Sequence, residues 1–129
     1  MTKAIDYCGK SLTFFEKKLG EVKINPSIFG DIILSRKDIN TSYHLSVTID
    51  DSTQGISLVT RGKDLFESTY IHRLLQCLLN LSTPKYDHHN LILDNNGKKL
   101  SKRDSSISIK SIRETGKPSK EIIEKLIKY

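Results

Sequence analysis

The stretch "ESTYIHRLLQCLLNLSTP" (67–84) decides the fold class of this chain. Its apolar residues Ile71, Leu74, Leu75, Leu78 and Leu79 follow the i, i+3, i+4, i+7, i+8 spacing that lines one face of an α-helix. Ser68 or Thr69 is placed to cap the first turn by accepting a free backbone N–H, and Pro84 prevents continuation. On the N-terminal side, "GISLVTRG" (55–62) is a β-branched run between two glycines and predicts a strand. On the C-terminal side, "YDHHNLILDNNGKKLSKRD" (86–104) predicts a strand, a turn and a basic loop. A helix between two strands specifies α/β organisation, the helix burying one face on a sheet.

Further out, the signals weaken. "SYHLSVTIDD" (42–51) alternates Tyr43, Leu45, Val47 and Ile49 with polar residues; the pattern predicts a strand, with a short helix as the alternative. "GDIILSRKD" (30–38) carries a compact apolar run, Ile32 to Leu34, expected as a buried strand. Residues 3–20 fit neither period, with Ala4, Ile5, Leu12, Phe14, Phe15 and Leu19 as core candidates. At the other end, "SSISIKSIRETG" (105–116) predicts a short helix stopped by a left-handed Gly116. A last helix follows Pro118, capped by Ser119, with Ile122, Ile123, Leu126 and Ile127 on one face.

Composition sets limits. The chain has 129 residues with 36% hydrophobic and 28% charged residues, suited to one domain with a modest core. No run of about 18 apolar residues is present, so no membrane span is expected. "MTKAIDYCGK" lacks a secretory leader's apolar core, and the expected compartment is the cytoplasm. Lys and Arg number 21 against 15 Asp and Glu, a net charge of +6, which weakly favours a polyanionic partner. Cys8 and Cys77 have no metal-binding spacing; both are expected as free thiols, with Cys77 a small buried hydrophobe.

Three places could carry chemistry. The basic turn 96–103 holds Lys98, Lys99, Lys102 and Arg103 around Ser101, just after Gly97. Mobile lysines and a hydroxyl on a backbone freed by glycine suit a phosphate; a solvated surface loop is the alternative. Arg61 ends a strand at the edge where α/β proteins bind ligands. It can clamp a carboxylate or pair with Asp50, Asp51 or Asp64. Tyr43 can fill core space or offer its hydroxyl to a substrate. Asp50–Asp51 and His88–His89 are adjacent pairs, which on a strand point to opposite faces and cannot grip one ion. No zinc constellation, Walker loop or dinucleotide fingerprint is present.

Taken in order, "SYHL", "DD", "RGKDL", "STYIHRLLQCLL" and "KLSKR" resemble the second half of the class I glutamyl-tRNA synthetase catalytic domain. The resemblance runs from about Gly30 to Arg103, "KLSKR" (99–103) corresponding to the KMSKS signature. Within the family the chain is most similar to the short glutamyl-Q tRNA(Asp) synthetase subgroup, since few residues follow Arg103 and "SIRETGKPSKEIIEKL" resembles that subgroup's terminal helices. The resemblance implies a Rossmann-like half-domain over 30–103, a divergent segment over 1–29 and C-terminal helices over 104–129.

It also implies activity and roles. Members activate glutamate with ATP, accompanied by Mg, and the subgroup passes the glutamyl group to the queuosine base of tRNA(Asp). Tyr43 and Arg61 correspond to residues that hold glutamate; Lys102, with Lys99 and Ser101, corresponds to the ATP-binding loop, Lys102 as its catalytic lysine. The sequence departs from the family pattern at Leu58, where histidine is usual, and at Ser82, where proline is common. The HIGH motif and the zinc-binding cysteines of many relatives have no counterpart here, so no zinc site is expected. Half a nucleotide cradle positions a triphosphate poorly; the expectation is little activity without a separate N-terminal half. Two other readings stand beside this one: part of a glutamate–tRNA ligase, or a basic RNA-binding remnant without catalysis.

Overall fold

A computed structural model describes residues 1–9, 11–94, 96–101 and 108–127, the last three without side-chain detail. The chain divides into two compact units, Met1–His88 and His89–Tyr129. The first contains α1 (Thr2–Cys8), β1 (Thr13–Glu16), β2 (Gly20–Lys23), α2 (Tyr43–Thr53), β3 (Leu58–Gly62) and α3 (Ser68–Leu78), and β4 (Lys85–His89) closes it. The strands form one mixed sheet in the order β2-β1-β4-β3. β1 and β2 are antiparallel with Phe14 opposite Val22, and β1 runs parallel to β4 with Glu16 opposite Tyr86.

The helix read from 67–84 is present, with Ile71, Leu74 and Leu75 buried. Its capping differs from expectation. Glu67 is the N-cap and no side chain caps it. The chain enters through a 3-10 turn at Lys63–Leu65, and backbone bonds such as Thr69 N–H to Phe66 O (3.1 Å) guide it into the helix. That leaves the Thr69 hydroxyl for another partner. Just past the helix and its C-cap Leu79, Asn80 has φ 53°, and Leu81 N–H reaches back to Gln76 O at 2.8 Å; left-handed asparagine lets the last carbonyls be satisfied as glycine would.

β3 forms where expected, and two other expected strands do not. Residues 43–53 are the helix α2: the Ser42 hydroxyl accepts from Leu45 N–H at 3.3 Å and starts it. The face of α2 turned inward carries His44 and fully buried Thr48, four residues apart, Thr48 Oγ1 bonding His44 O at 2.8 Å. Because that face is polar, the alternating apolar residues gave the wrong period. The run at 32–34 is a loop instead of a buried strand. Ser42 N–H bonds Leu34 O (2.8 Å) and Arg36 N–H bonds Ile39 O (2.9 Å), so the segment pairs with itself, and Ile33 is 68% exposed.

β1 shows why residues 3–20 resisted a single period. Alternation turns Phe14 and Glu16 inward and leaves Phe15 exposed, and Leu19, in the following turn, is also exposed. The core joins Phe14, Ile24 and Tyr86, with Val59, Phe66 and Tyr70 packed against them. Phe14 meets Tyr86 edge-on at 5.3 Å and Phe66 at 5.7 Å, arrangements that aromatic rings prefer.

The cysteines also depart from expectation. Cys8 and Cys77 form a disulfide with Cα atoms 6.1 Å apart, within the ordinary range, and both residues are half-buried. α1 has no buried residue, so the bond to α3 and the pairing of the Met1 amino group with Asp31 tie it down.

The second unit begins with a tight hairpin. Leu93 bridges Lys99, and Leu100 N–H bonds Ile92 O at 3.0 Å. Asp94 Oδ1 accepts from Asn96 N–H (2.9 Å) and Lys98 N–H (2.8 Å), and Gly97 turns the chain at φ 76°. α4 (Ile109–Glu114) starts with a Ser108–Ser111 capping box, and Gly116 follows it at φ 79°, as the sequence predicts. α5 (Ser119–Ile127) completes the chain's described part. Among the described residues, no helix is long and apolar enough to cross a membrane.

Candidate functional site

Arg61 is the centre of the first unit's polar cluster. β3 delivers it next to the strand's end, half-buried, with Cζ 5.2 Å from the centre of the Tyr86 ring. Its donors go to neither Asp50, Asp51 nor Asp64 in the bonds that define its position. Nε–H donates to His88 Nε2 at 3.2 Å, Nη1–H to His72 Nδ1 at 3.0 Å, and Nη2–H to the Thr69 hydroxyl. All three acceptors lack negative charge.

Local structure explains this convergence. In β4, period-two alternation buries Tyr86 and His88 and leaves His89 exposed, so the two adjacent histidines have separate fates. On α3, Thr69, His72 and Gln76 form a buried polar stripe at spacings of three and four. Thr69 and His72 thus lie one turn apart on the same side, facing Arg61. α2 contributes His44, whose Nδ1 is 3.0 Å from His72 Nε2.

The hydrogen-bond directions follow from arginine's chemistry. A guanidinium only donates, so His72 Nδ1 must accept. Its hydrogen then sits on Nε2 and is donated to His44 Nδ1. Burial is the main cause that holds His72 down to a pKa of about 3, with repulsion from Arg61 and then His44 adding to it. His44 is lowered in the same way, first by burial and then by Arg61. Both rings therefore stay neutral near neutral pH.

Tyr43, the first residue of α2, stands at the cluster's exposed edge. Its ring meets His44 at 5.6 Å and His72 at 5.9 Å, both edge-on, and is 55% exposed. It does not fill the core, which leaves the phenol accessible to a ligand. Tyr43 and Arg61, 18 positions apart in the sequence, thus both contact the His72 imidazole. Asp51, near the end of α2, feels Arg61 at longer range: burial raises its carboxyl, Arg61 lowers it, and Asp50 raises it. Since 50 and 51 lie on a helix, the strand argument against their cooperation does not apply, but no group of three or more His, Cys, Asp or Glu among the described residues could hold a metal ion.

Lys99 and Ser101 lie at and just after the hairpin of the second unit, Lys99 exposed and Ser101 half-buried. The turn that precedes them is built by Asp94 and Gly97. Lys102 lies outside the described residues. The sequence alone does not single out Thr69, His72 and His88 as partners of Arg61, or His44 behind them. A usable signal existed: strand alternation places His88 beside Tyr86, and helical spacing places Thr69, His72 and Gln76 together.

Comparison with known proteins shows the family. Residues 4–129 match the description "tRNA synthetases class I (E and Q), catalytic domain". The chain is 53% identical over 87 residues to a glutamyl-Q tRNA(Asp) synthetase of Rhodobacter capsulatus, covering 67% of this chain and 31% of that protein. It is 38% identical over 97 residues to a glutamate–tRNA ligase 2 of Syntrophus aciditrophicus, covering 75% and 20%. A crystal structure of a glutamate tRNA ligase from Elizabethkingia meningosepticum in complex with its amino acid superimposes with a TM-score of 0.61 at 33% identity, covering 73% of this chain and 19% of that one. The chain spans about a third or less of the length of these relatives.

Proposed function

This chain belongs to the class I tRNA synthetase (E and Q) catalytic-domain family, and from that premise we propose that it supplies the amino-acid-binding half of a glutamyl-Q tRNA(Asp) synthetase site. Arg61 receives a carboxylate of glutamate, and the Tyr43 hydroxyl adds a hydrogen bond at the exposed rim. Lys99, Ser101 and Lys102 contact the phosphates of ATP. In the reaction, an oxygen of the substrate α-carboxylate attacks the α-phosphorus of ATP. Pyrophosphate leaves, taking the electrons of the broken P–O bond, and glutamyl-adenylate forms. The glutamyl group then passes to the queuosine base of tRNA(Asp), releasing AMP.

The observation that carries this reading is the way Arg61 is held. Three neutral acceptors fix its guanidinium, so its charge is not cancelled by a touching carboxylate. A positioned, unneutralised guanidinium is a receptor for an incoming carboxylate. The lysines suit a polyphosphate, where negative charge develops as pyrophosphate departs. Mg travels on the triphosphate in this reading, with no protein ligand assigned to it. The proposed working compartment is the cytoplasm, where glutamate, ATP and tRNA meet.

The test is glutamate-dependent ATP–pyrophosphate exchange. The purified chain should show little exchange alone and gain it when an N-terminal half carrying a HIGH motif is added. Lys102→Ala should then abolish it. Strong exchange by the chain alone, or none after reconstitution, contradicts the proposal. The similarity to a glutamate–tRNA ligase favours one alternative acceptor, the tRNA 3′ end, which transfer assays with each acceptor separate. The net charge of +6 fits a non-catalytic RNA-binding remnant, which would bind tRNA in a salt-sensitive way without ATP dependence.

A further inference from the structure

Glu16 has no place in the reading above, yet it is 1% exposed. A carboxylate so buried is retained only with partners. Its partners are both on His88: Oε1 accepts the backbone N–H at 3.1 Å, and Oε2 faces Nδ1 at 2.5 Å. On the far side of the same imidazole, Nε2 accepts from Arg61 Nε–H at 3.2 Å.

We infer that Glu16 is a positioning residue for Arg61, acting through the tautomer of His88. An imidazole with one hydrogen must place it on Nδ1 or on Nε2. Glu16, an acceptor only, draws it to Nδ1. The lone pair is then on Nε2, directed at Arg61. The Thr69 hydroxyl, which receives from Arg61 Nη2, is 3.3 Å from that same nitrogen and turns its own hydrogen toward it. The opposite tautomer would set N–H against N–H and push the guanidinium away.

The substitution Glu16→Gln tests this because glutamine keeps the shape of the side chain and changes its hydrogen-bond polarity. If the oxygen of the new amide accepts the His88 backbone N–H, the amide hydrogens face Nδ1. Nδ1 must then accept, and the hydrogen moves to Nε2, against Arg61. If the amide is turned over, its hydrogens meet a backbone N–H that cannot reverse. The imidazole can exchange its tautomer and the backbone cannot, so the first arrangement prevails.

The experiment uses the full 129-residue chain, ¹⁵N-labelled and without ligand. Long-range ¹H–¹⁵N spectra of the imidazoles should show His88 protonated on Nδ1 and bare on Nε2, with His72 in the opposite tautomer. In Glu16→Gln the His88 tautomer should invert, and solvent exchange of the Arg61 Nε–H should quicken about tenfold or more, the loss of one charged hydrogen bond. Should the variant fail to fold, the wild-type tautomer still decides: His88 carrying its hydrogen on Nε2 overturns the inference. An unchanged tautomer and unchanged Arg61 exchange in a folded Glu16→Gln chain also overturn it. The consequence for glutamate rests on the proposed function, and the two separate cleanly. Correct tautomers in a chain that binds no glutamate, even when reconstituted, uphold the positioning role and sink the glutamate reading; binding with the wrong tautomer does the reverse.

Discussion

Acidification should unfold this protein earlier than its surface charges imply, and His72 is the reason. The ring is 2% exposed and holds a pKa of about 3 against an ordinary 6.5, through burial first and then the charges of Arg61 and His44. In the unfolded chain the same imidazole takes up its proton near pH 6.5. Between those values the unfolded state binds more protons than the folded one, so stability falls as pH falls. The slope starts at half its limit and approaches about 1.4 kcal/mol per pH unit, so lowering the pH from about 6.5 to about 4.5 removes about 2 kcal/mol. His44 is shifted in the same direction and adds to the loss. Asp38 and Asp87, lowered mainly by hydrogen bonds from Arg36 and Lys17, lose their contributions only as pH falls through the carboxylate range. Asp51 is raised by burial and opposes the trend at the acid end of the window. The assay is urea unfolding followed by circular dichroism in steps across the window, for wild type and His72→Gln. The wild type should lose stability steadily and the variant distinctly less. Equal slopes in the two proteins, or a flat profile in the wild type, would refute the burial argument.

Arg61→Lys should strand three acceptors that a single ammonium cannot reach in one plane, weakening glutamate binding in the reconstituted enzyme by about 2–3 kcal/mol, or about 30- to 160-fold, by calorimetry. Tyr43→Phe leaves the exposed ring and removes only the hydroxyl; stability should change by less than about 0.5 kcal/mol while glutamate affinity drops roughly fivefold. Cys8→Ser, or reduction of the Cys8–Cys77 bond that closes a separation of 69 residues, should lower stability by up to about 4 kcal/mol on the chain-entropy account. Alkylation of the denatured, unreduced chain should label neither cysteine, and hydrogen exchange should show α1 loosening first once the bond is broken. Labelling of both thiols would mean that α1 docks without it.

Local pattern was sufficient for some elements and insufficient for others, and particular residues show why. The 68–78 helix declared itself because Ile71, Leu74 and Leu75 repeat with the helical period and are buried together. The strand carrying Arg61 did so because β-branched residues run between glycines. Gly116 was legible as a helix stop because a left-handed turn needs a residue without Cβ. At α2 the alternation points to a strand and only the alternative reading, a short helix, is correct, because the inward face carries His44 and Thr48: where polar residues are buried, apolar periodicity carries no information about the helix. The pairing of Cys8 with Cys77 depends on how α1 meets α3, which no local window contains.

The order of motifs along the polymer settled the family and nominated Tyr43 and Arg61 as its glutamate-holding pair. Folding alone brought them to a common imidazole and recruited Thr69, His72 and His88 around the guanidinium, with Glu16 behind His88. The physical reason is that a hydrogen bond acts across about 3 Å of space and is indifferent to the number of residues between its ends. Side-chain types announce what a group can donate or accept; only packing selects which partner it meets.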